Sequence, residues 1–177
     1  ICKAAIQRLK ELGYTVGLNL MQVSIQTADQ ISAAAAEINK WGTVDVLYFA
    51  DSLGNMNSND IRRTVSALKT GWEGELGIHA HNNKGLALTN TIEAIDCGLT
   101  WVDATVLGMG RGAGNTRIEF LLTELMQMNL GKYHAEAVFA LVLQEFDGLQ
   151  KQYQWGNNLL YYLSAVYNIH PTYIQQM

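Results

Sequence analysis

The sequence predicts an α/β fold, the C-terminal half of a (β/α)8 TIM barrel of about four βα units followed by C-terminal helices, on three observations. Gly13, Gly42, Gly71 and Gly98 close helical patterns at spacings of 29, 29 and 27 residues, and each suits a left-handed position after a helix. After each comes a β-like run, "YTVGLNLM", "VDVLYFAD", "LGIHAH" and "WVDATVLG", and each run gives way to a helical pattern. Strands separated by single helices run parallel. The polar residues Asp51, His79, His81 and Thr105 gather at the C-terminal ends of these runs, where barrel enzymes place their chemistry. Open sheets also bind ligands at strand C-termini, so a small four-stranded α/β domain with covered edges is the alternative.

The chain opens with "ICKAAIQRLKELG", which reads as an amphipathic helix rather than a signal peptide and has no strand before it. A complete barrel takes about 250 residues and eight units, which is why a half barrel, cut or built without its first half, is expected. Thr27 caps "ADQISAAAAEINKW", and Asn57 or Ser58 caps "NDIRRTVSALKT". The two remaining helices are "KGLALTNTIEAIDC" and "TRIEFLLTELMQM". Residues 1–130 form the partial barrel. Residues 131–177 turn to helices alone, "HAEAVFALVLQEFDGLQKQY" and "NLLYYLSAVYNI", with Tyr153, Trp155, Tyr161, Tyr162 and Tyr167 expected mostly as packing residues.

Composition narrows the function. The 177 residues are 49% apolar with a formal charge of −4, enough for one domain with a core. Basic residues are scattered and outnumbered by acids, which argues against a nucleic-acid partner. No apolar run reaches the roughly 20 residues that span a bilayer, so no membrane partner is expected and the location read is cytoplasmic. Cys2 and Cys97 lie far apart and outside any C-x-x-C arrangement, and both read as buried or half-buried thiols in a reducing compartment.

The chemistry centres on "GIHAHNNKG". On a strand, side chains alternate, so His79 and His81 point the same way roughly 7 Å apart. A same-face imidazole pair followed by Asn82 and Asn83 reads better as part of a metal site than as core. Imidazole suits several transition ions, and carboxylate or amide oxygens in the remaining positions favour manganese or magnesium, with zinc also allowed. At least one carboxylate has to complete the site. The run "GMGRGAGN", Gly108 to Asn115, lets backbone approach a ligand closely at Gly110 and Gly112, although its glycine spacing matches no phosphate-loop pattern and a plain flexible loop is the alternative. Arg111 could fork a carboxylate. Asn115 could ligate through its amide oxygen or cap the following helix, and Asp51 could orient a histidine or cap the next turn.

Taken together and in this order, "YFADSLGNMNSNDIRRTV" and "GIHAHNNKGLALTNTIEAIDCGLTWVDATVLGMGRGAGNTRIEFLL" resemble the pyruvate-carboxyltransferase-like metallolyase superfamily of barrels, which includes 4-hydroxy-2-oxovalerate aldolase, hydroxymethylglutaryl-CoA lyase, isopropylmalate synthase and homocitrate synthase. The resemblance spans residues 14 to 125. It implies a divalent ion held by His79, His81 and an aspartate of the first barrel strand, with Asn115 as a further ligand. That aspartate and its neighbouring arginine are not among these residues, which fits a truncated barrel. It also implies a 2-oxo acid substrate chelating the ion, an enolate stabilised by it, and a tyrosine beyond the barrel, Tyr161, assisting proton movement. The glycine loop carries no cysteine, unlike that of the hydroxymethylglutaryl-CoA lyases, so the aldolase branch is favoured: retro-aldol cleavage of a 4-hydroxy-2-oxo acid to pyruvate and an aldehyde. The resemblance extends to Arg111 as a catalytic group, Asp51, Gly110 and Gly112 as substrate contacts, a homo-oligomer and a partner dehydrogenase. An acyl-CoA-dependent synthase or hydroxymethylglutaryl-CoA lyase-like enzyme is the alternative, and a non-catalytic barrel-half binding module is the second.

Overall fold

The structure is a computed structural model that describes residues 2–174. Helix α1 (Cys2–Glu11) buries Ile6 and ends at Gly13, where the Gly13 and Tyr14 N–H groups return to the Lys10 and Leu9 carbonyls. Such a closure needs a left-handed residue, and Gly13 has φ 84°. Gly42 and Gly98 are left-handed as well. Gly71 departs from the expectation. It is the last residue of its helix, and a Cβ there would overlap the Ser32 carbonyl oxygen and lie 2.6 Å from the Ala36 amide nitrogen. That glycine serves a close helix approach rather than a turn.

Four strands follow in chain order: β1 (Gly17–Leu20), β2 (Val46–Asp51), β3 (Glu75–Ala80) and β4 (Trp101–Val102). They form one parallel sheet in the order β1-β2-β3-β4. The order has no reversal, the mark of a doubly wound sheet. Between the strands run α2 (Ala28–Asn39), α3 (Ser58–Gly71) and α4 (Ala87–Asp96). The N-caps are Thr27 and Asn57, each closing a reciprocal capping box with Gln30 and Asp60.

Alternation splits the sheet residues between two faces. Leu47 and Phe49 of β2 and Leu76 and Ile78 of β3 join the helices in one buried core with Ile31, Ile61 and Leu68. The register sets Tyr48 beside Gly77, Ala50 beside His79, and Gly77 beside Trp101, so Tyr48, His79 and Trp101 share the opposite face, where each is at least partly exposed. β4 is shorter than "WVDATVLG" suggests. After Val102 the chain leaves the ladder, and Thr105 pairs instead with Thr116 and Ile118 across the glycine loop, before α5 (Ile118–Gln127).

Beyond α5 come α6 (Ala135–Leu141), a π-helical turn (Val142–Phe146), α7 (Asp147–Tyr153), α8 (Leu159–Val166) and a short α9 (Pro171–Ile174). Here two expectations change. Tyr153, Tyr162 and Tyr167 are 67%, 48% and 70% exposed and do not pack into a core, because α7 buries no side chain and α8 buries only Ser164 and Ala165. Cys2 is exposed on α1, whereas Cys97 is half-buried and its thiol is pushed up by burial and by the nearby Glu93 carboxylate, as an inert thiol should be. No helix among the described residues is long and apolar enough to cross a membrane.

Candidate metal centre

His79 and His81 lie on one face of β3 and just past its end, with ring centroids 4.8 Å apart and the planes edge to face. His79 Nδ1 is 3.0 Å from Asp103 Oδ2. His81 Nδ1 is 2.8 Å from the Asp51 main-chain oxygen. A carbonyl only accepts, so the His81 proton sits on Nδ1 and the Nε2 lone pair is left for a ligand. Burial holds the His81 pKa below its ordinary value, and the Asp51 carbonyl only partly opposes this. The neutral form is the one a metal needs.

Asp51 resolves into two roles. Its side chain is fully buried, and its carboxylate accepts the Asn55 and Met56 N–H groups at 3.1 and 3.2 Å. It therefore caps the turn after β2, while its carbonyl oxygen orients His81. Burial raises the carboxyl to about 6 against these backbone hydrogen bonds. The carboxylate itself lies on the turn, away from the imidazoles.

Asn115 comes to His81 through an isolated antiparallel bridge. Its Nδ2 donates to the Met109 carbonyl at 3.2 Å, which leaves the amide oxygen free to ligate. It does not cap α5, whose N-cap position is Arg117. Gly110 makes room for that amide, since a Cβ there would lie 2.5 Å from Asn115 Nδ2. Gly112, at φ 63°, would set a Cβ 2.9 Å from the Tyr161 ring, so the loop and α8 touch at this point. Arg111 is exposed, reaches Thr172 at 3.4 Å, and adds positive potential at His81. Glu119, in the first turn of α5, is buried and accepts the Leu107 N–H at 3.0 Å, which ties the start of α5 to the residue before the glycine loop.

Two residues escaped the sequence reading. Asp103 follows β4 and borders His79, and Tyr48 of β2 stands on the same face. Burial first, then the Asp103 charge, pushes the Tyr48 hydroxyl up to about 12. The alternation Trp101, Asp103, Thr105 was the available signal for Asp103. Two imidazoles and one amide oxygen suit a divalent ion as part of a ligand set. Among the described residues no three His, Cys, Asp or Glu side chains are grouped to hold one, so these residues fit such an ion but do not complete its shell.

Known proteins show the same framework. The chain is 38% identical over 125 residues to 4-hydroxy-2-oxovalerate aldolase of Brevibacillus brevis, covering 71% of this chain and 36% of that one. It is 35% identical over 122 residues to oxaloacetate decarboxylase of Mycobacterium tuberculosis, covering 69% and 36%. The chain thus spans little more than a third of the length of these curated relatives. The crystal structure of the N-terminal domain of a candidate aldolase from Bacteroides vulgatus superposes with a TM-score of 0.88 at 32% identity, over 99% of this chain and 58% of that one. Bacillus subtilis HMG-CoA lyase, at 19% identity and a TM-score of 0.76 over 88% of this chain and 55% of its own, shares the fold. The model of the HMGL-like family matches residues 1–142, a span that holds the imidazole pair, Asp103 and the glycine loop, and the chain belongs to that family.

Proposed function

We propose that this chain forms the histidine-bearing half of a (β/α)8 barrel in a divalent-metal-dependent carbon–carbon lyase, which cleaves a 4-hydroxy-2-oxo acid to pyruvate and an aldehyde. The observation that carries the reading is the imidazole pair on one open face, its members held at Nδ1 by Asp103 and by the Asp51 carbonyl. A bound divalent ion, manganese or magnesium in this reading, would supply Lewis-acid stabilisation of enolate charge. His79 and His81 would hold it through Nε2 and Asn115 through its amide oxygen. Arg111, exposed on the glycine loop, would turn from Thr172 to fork the substrate carboxylate. Tyr161, whose ring lies beside Gly112 of the glycine loop, is the candidate to hold or deliver a proton.

The resemblance to an oxaloacetate decarboxylase favours a second reading. Both reactions break the bond between C3 and C4 of a 2-oxo acid and leave pyruvate. They differ in the leaving group: an aldehyde requires a base to take the 4-hydroxyl proton, whereas carbon dioxide requires none.

The test is manganese-dependent exchange of pyruvate methyl protons for deuterium, followed by NMR on the full-length gene product beside its His79→Ala, His81→Ala variant. Exchange is expected in the wild type and is expected to vanish without the metal or the histidines. A folded, manganese-loaded protein that exchanges nothing sinks the lyase reading. Where exchange occurs, pyruvate released from oxaloacetate but not from a 4-hydroxy-2-oxo acid selects the decarboxylase.

A further inference from the structure

We propose that Asp103, on the face of the sheet that Tyr48 and His79 share, is a positioning residue for His79: it holds the Nδ1 proton so that Nε2 is presented to a divalent cation. The inference rests on the metal-lyase reading and adds to it the residues that aim one ligand. An ionised carboxylate can only accept a hydrogen bond. At 3.0 Å from Asp103 Oδ2, His79 Nδ1 must therefore be the donor, and the lone pair is left on Nε2.

The two histidines are held unequally. His81 donates to a main-chain carbonyl that the turn after β2 fixes in place, a neutral acceptor that no substitution at position 51 removes directly. His79 donates to a side-chain carboxylate, a charged acceptor that makes the imidazole a more basic ligand. The Asp103 side chain is 47% exposed, so its orientation depends on neighbours. Tyr48 is the neighbour across the face, close enough for the Asp103 charge to act on its hydroxyl.

Gly77 explains why the tyrosine can stand there. It is the register partner of Tyr48, and a Cβ at position 77 would come 2.6 Å from the tyrosine ring carbons. Any larger residue would displace the ring. On this face Gly77 admits Tyr48, Tyr48 stands on the side of the sheet from which Asp103 follows β4, and Asp103 holds His79.

The experiment uses the metal-free full-length gene product with 15N-labelled histidine, whose 15N–1H spectra report the tautomer. A parallel titration with manganese alone reads affinity from the electron paramagnetic resonance of the free ion. Wild type is expected to show His79 protonated at Nδ1; an Nε2-protonated His79 overturns the inference with no variant needed. Asp103→Ala is expected to mix the tautomers and weaken manganese binding about 10–100-fold, the usual effect of losing such a partner. Asp103→Asn, whose amide oxygen still accepts, is expected to restore the tautomer and part of the affinity. Gly77→Ala is expected to weaken binding in the same direction as Asp103→Ala with both imidazoles intact. If His79→Ala loses manganese binding while Asp103→Ala keeps wild-type tautomer and affinity, the positioning role is overturned and the metal reading stands. If His79→Ala, His81→Ala binds manganese as wild type does, the metal reading itself falls.

Discussion

At the scale of single residues, glycines on the candidate face stand where side chains from elsewhere already fill the space. Gly110→Ala would push against the Asn115 amide. Manganese affinity is expected to fall several-fold while the urea midpoint moves little, since the clash lies in a surface loop. Gly112→Ala meets two obstacles, the left-handed φ of 63° and the Tyr161 ring. The backbone part alone is expected to cost about 1–2 kcal/mol. A double-mutant cycle with Tyr161→Ala separates it from the ring contact; a coupling of zero would show that the ring and loop do not press on each other. The histidines and the glycine loop were legible because their spacing is local. Asp103 was not, because its importance comes from the strand beside it.

At the scale of elements, helix packing and strand anchoring give two further expectations. Gly71→Ala places a methyl group against the α2 backbone at Ser32 and Ala36, atoms that cannot move without the helix. Overpacking of this kind costs about 1–3 kcal/mol, more than the roughly 1 kcal/mol that alanine gains over glycine in a helix. A lower urea midpoint at unchanged slope is the expected result. Asp45 ties α1 to the start of β1 and β2: it pairs with Lys10 at 2.8 Å and accepts the Val16 N–H at 2.6 Å. These contacts, the Lys10 hydrogen bond first, hold its pKa below the ordinary 3.8. A depressed carboxylate pKa stabilises the fold above the unfolded value and loses that stabilisation as pH falls through the folded one. The stability gap between wild type and Asp45→Asn is therefore expected to be full at pH 7, to shrink below about pH 4, and to vanish in stronger acid; thermal melts across that range measure it. Glycine spacing exposed the βα repeat in the sequence, yet the same letter at position 71 marks a helix contact and at 13, 42 and 98 a turn. Only the neighbouring helix distinguishes them.

At the scale of the whole molecule, the helices after α5 return to the glycine loop. Trp155 Nε1 donates to the Leu107 carbonyl at 3.0 Å, the Gly156 N–H to the Gly112 carbonyl at 2.9 Å, and Arg111 reaches Thr172. Trp155→Phe removes the first of these bonds, worth about 1 kcal/mol net. Amide exchange at Asn115 is expected to quicken about fivefold, and unchanged exchange would show that the tryptophan does not steady the loop. By itself the sequence determined the βα repeat, the parallel sheet, the cap at Thr27 and the histidine pair, and narrowed the second cap to Asn57 or Ser58, since each follows from periodicity or from contacts within a few residues. The tertiary structure alone decided that the Asp51 carboxylate serves a turn while its carbonyl holds His81, that Asp103 and Tyr48 stand beside His79, and that Tyr161 meets Gly112. The contacts around His79 and His81 and that of Tyr161 with Gly112 join residues 24 to 55 positions apart in the chain, and no local pattern encodes which strand or helix will become a neighbour.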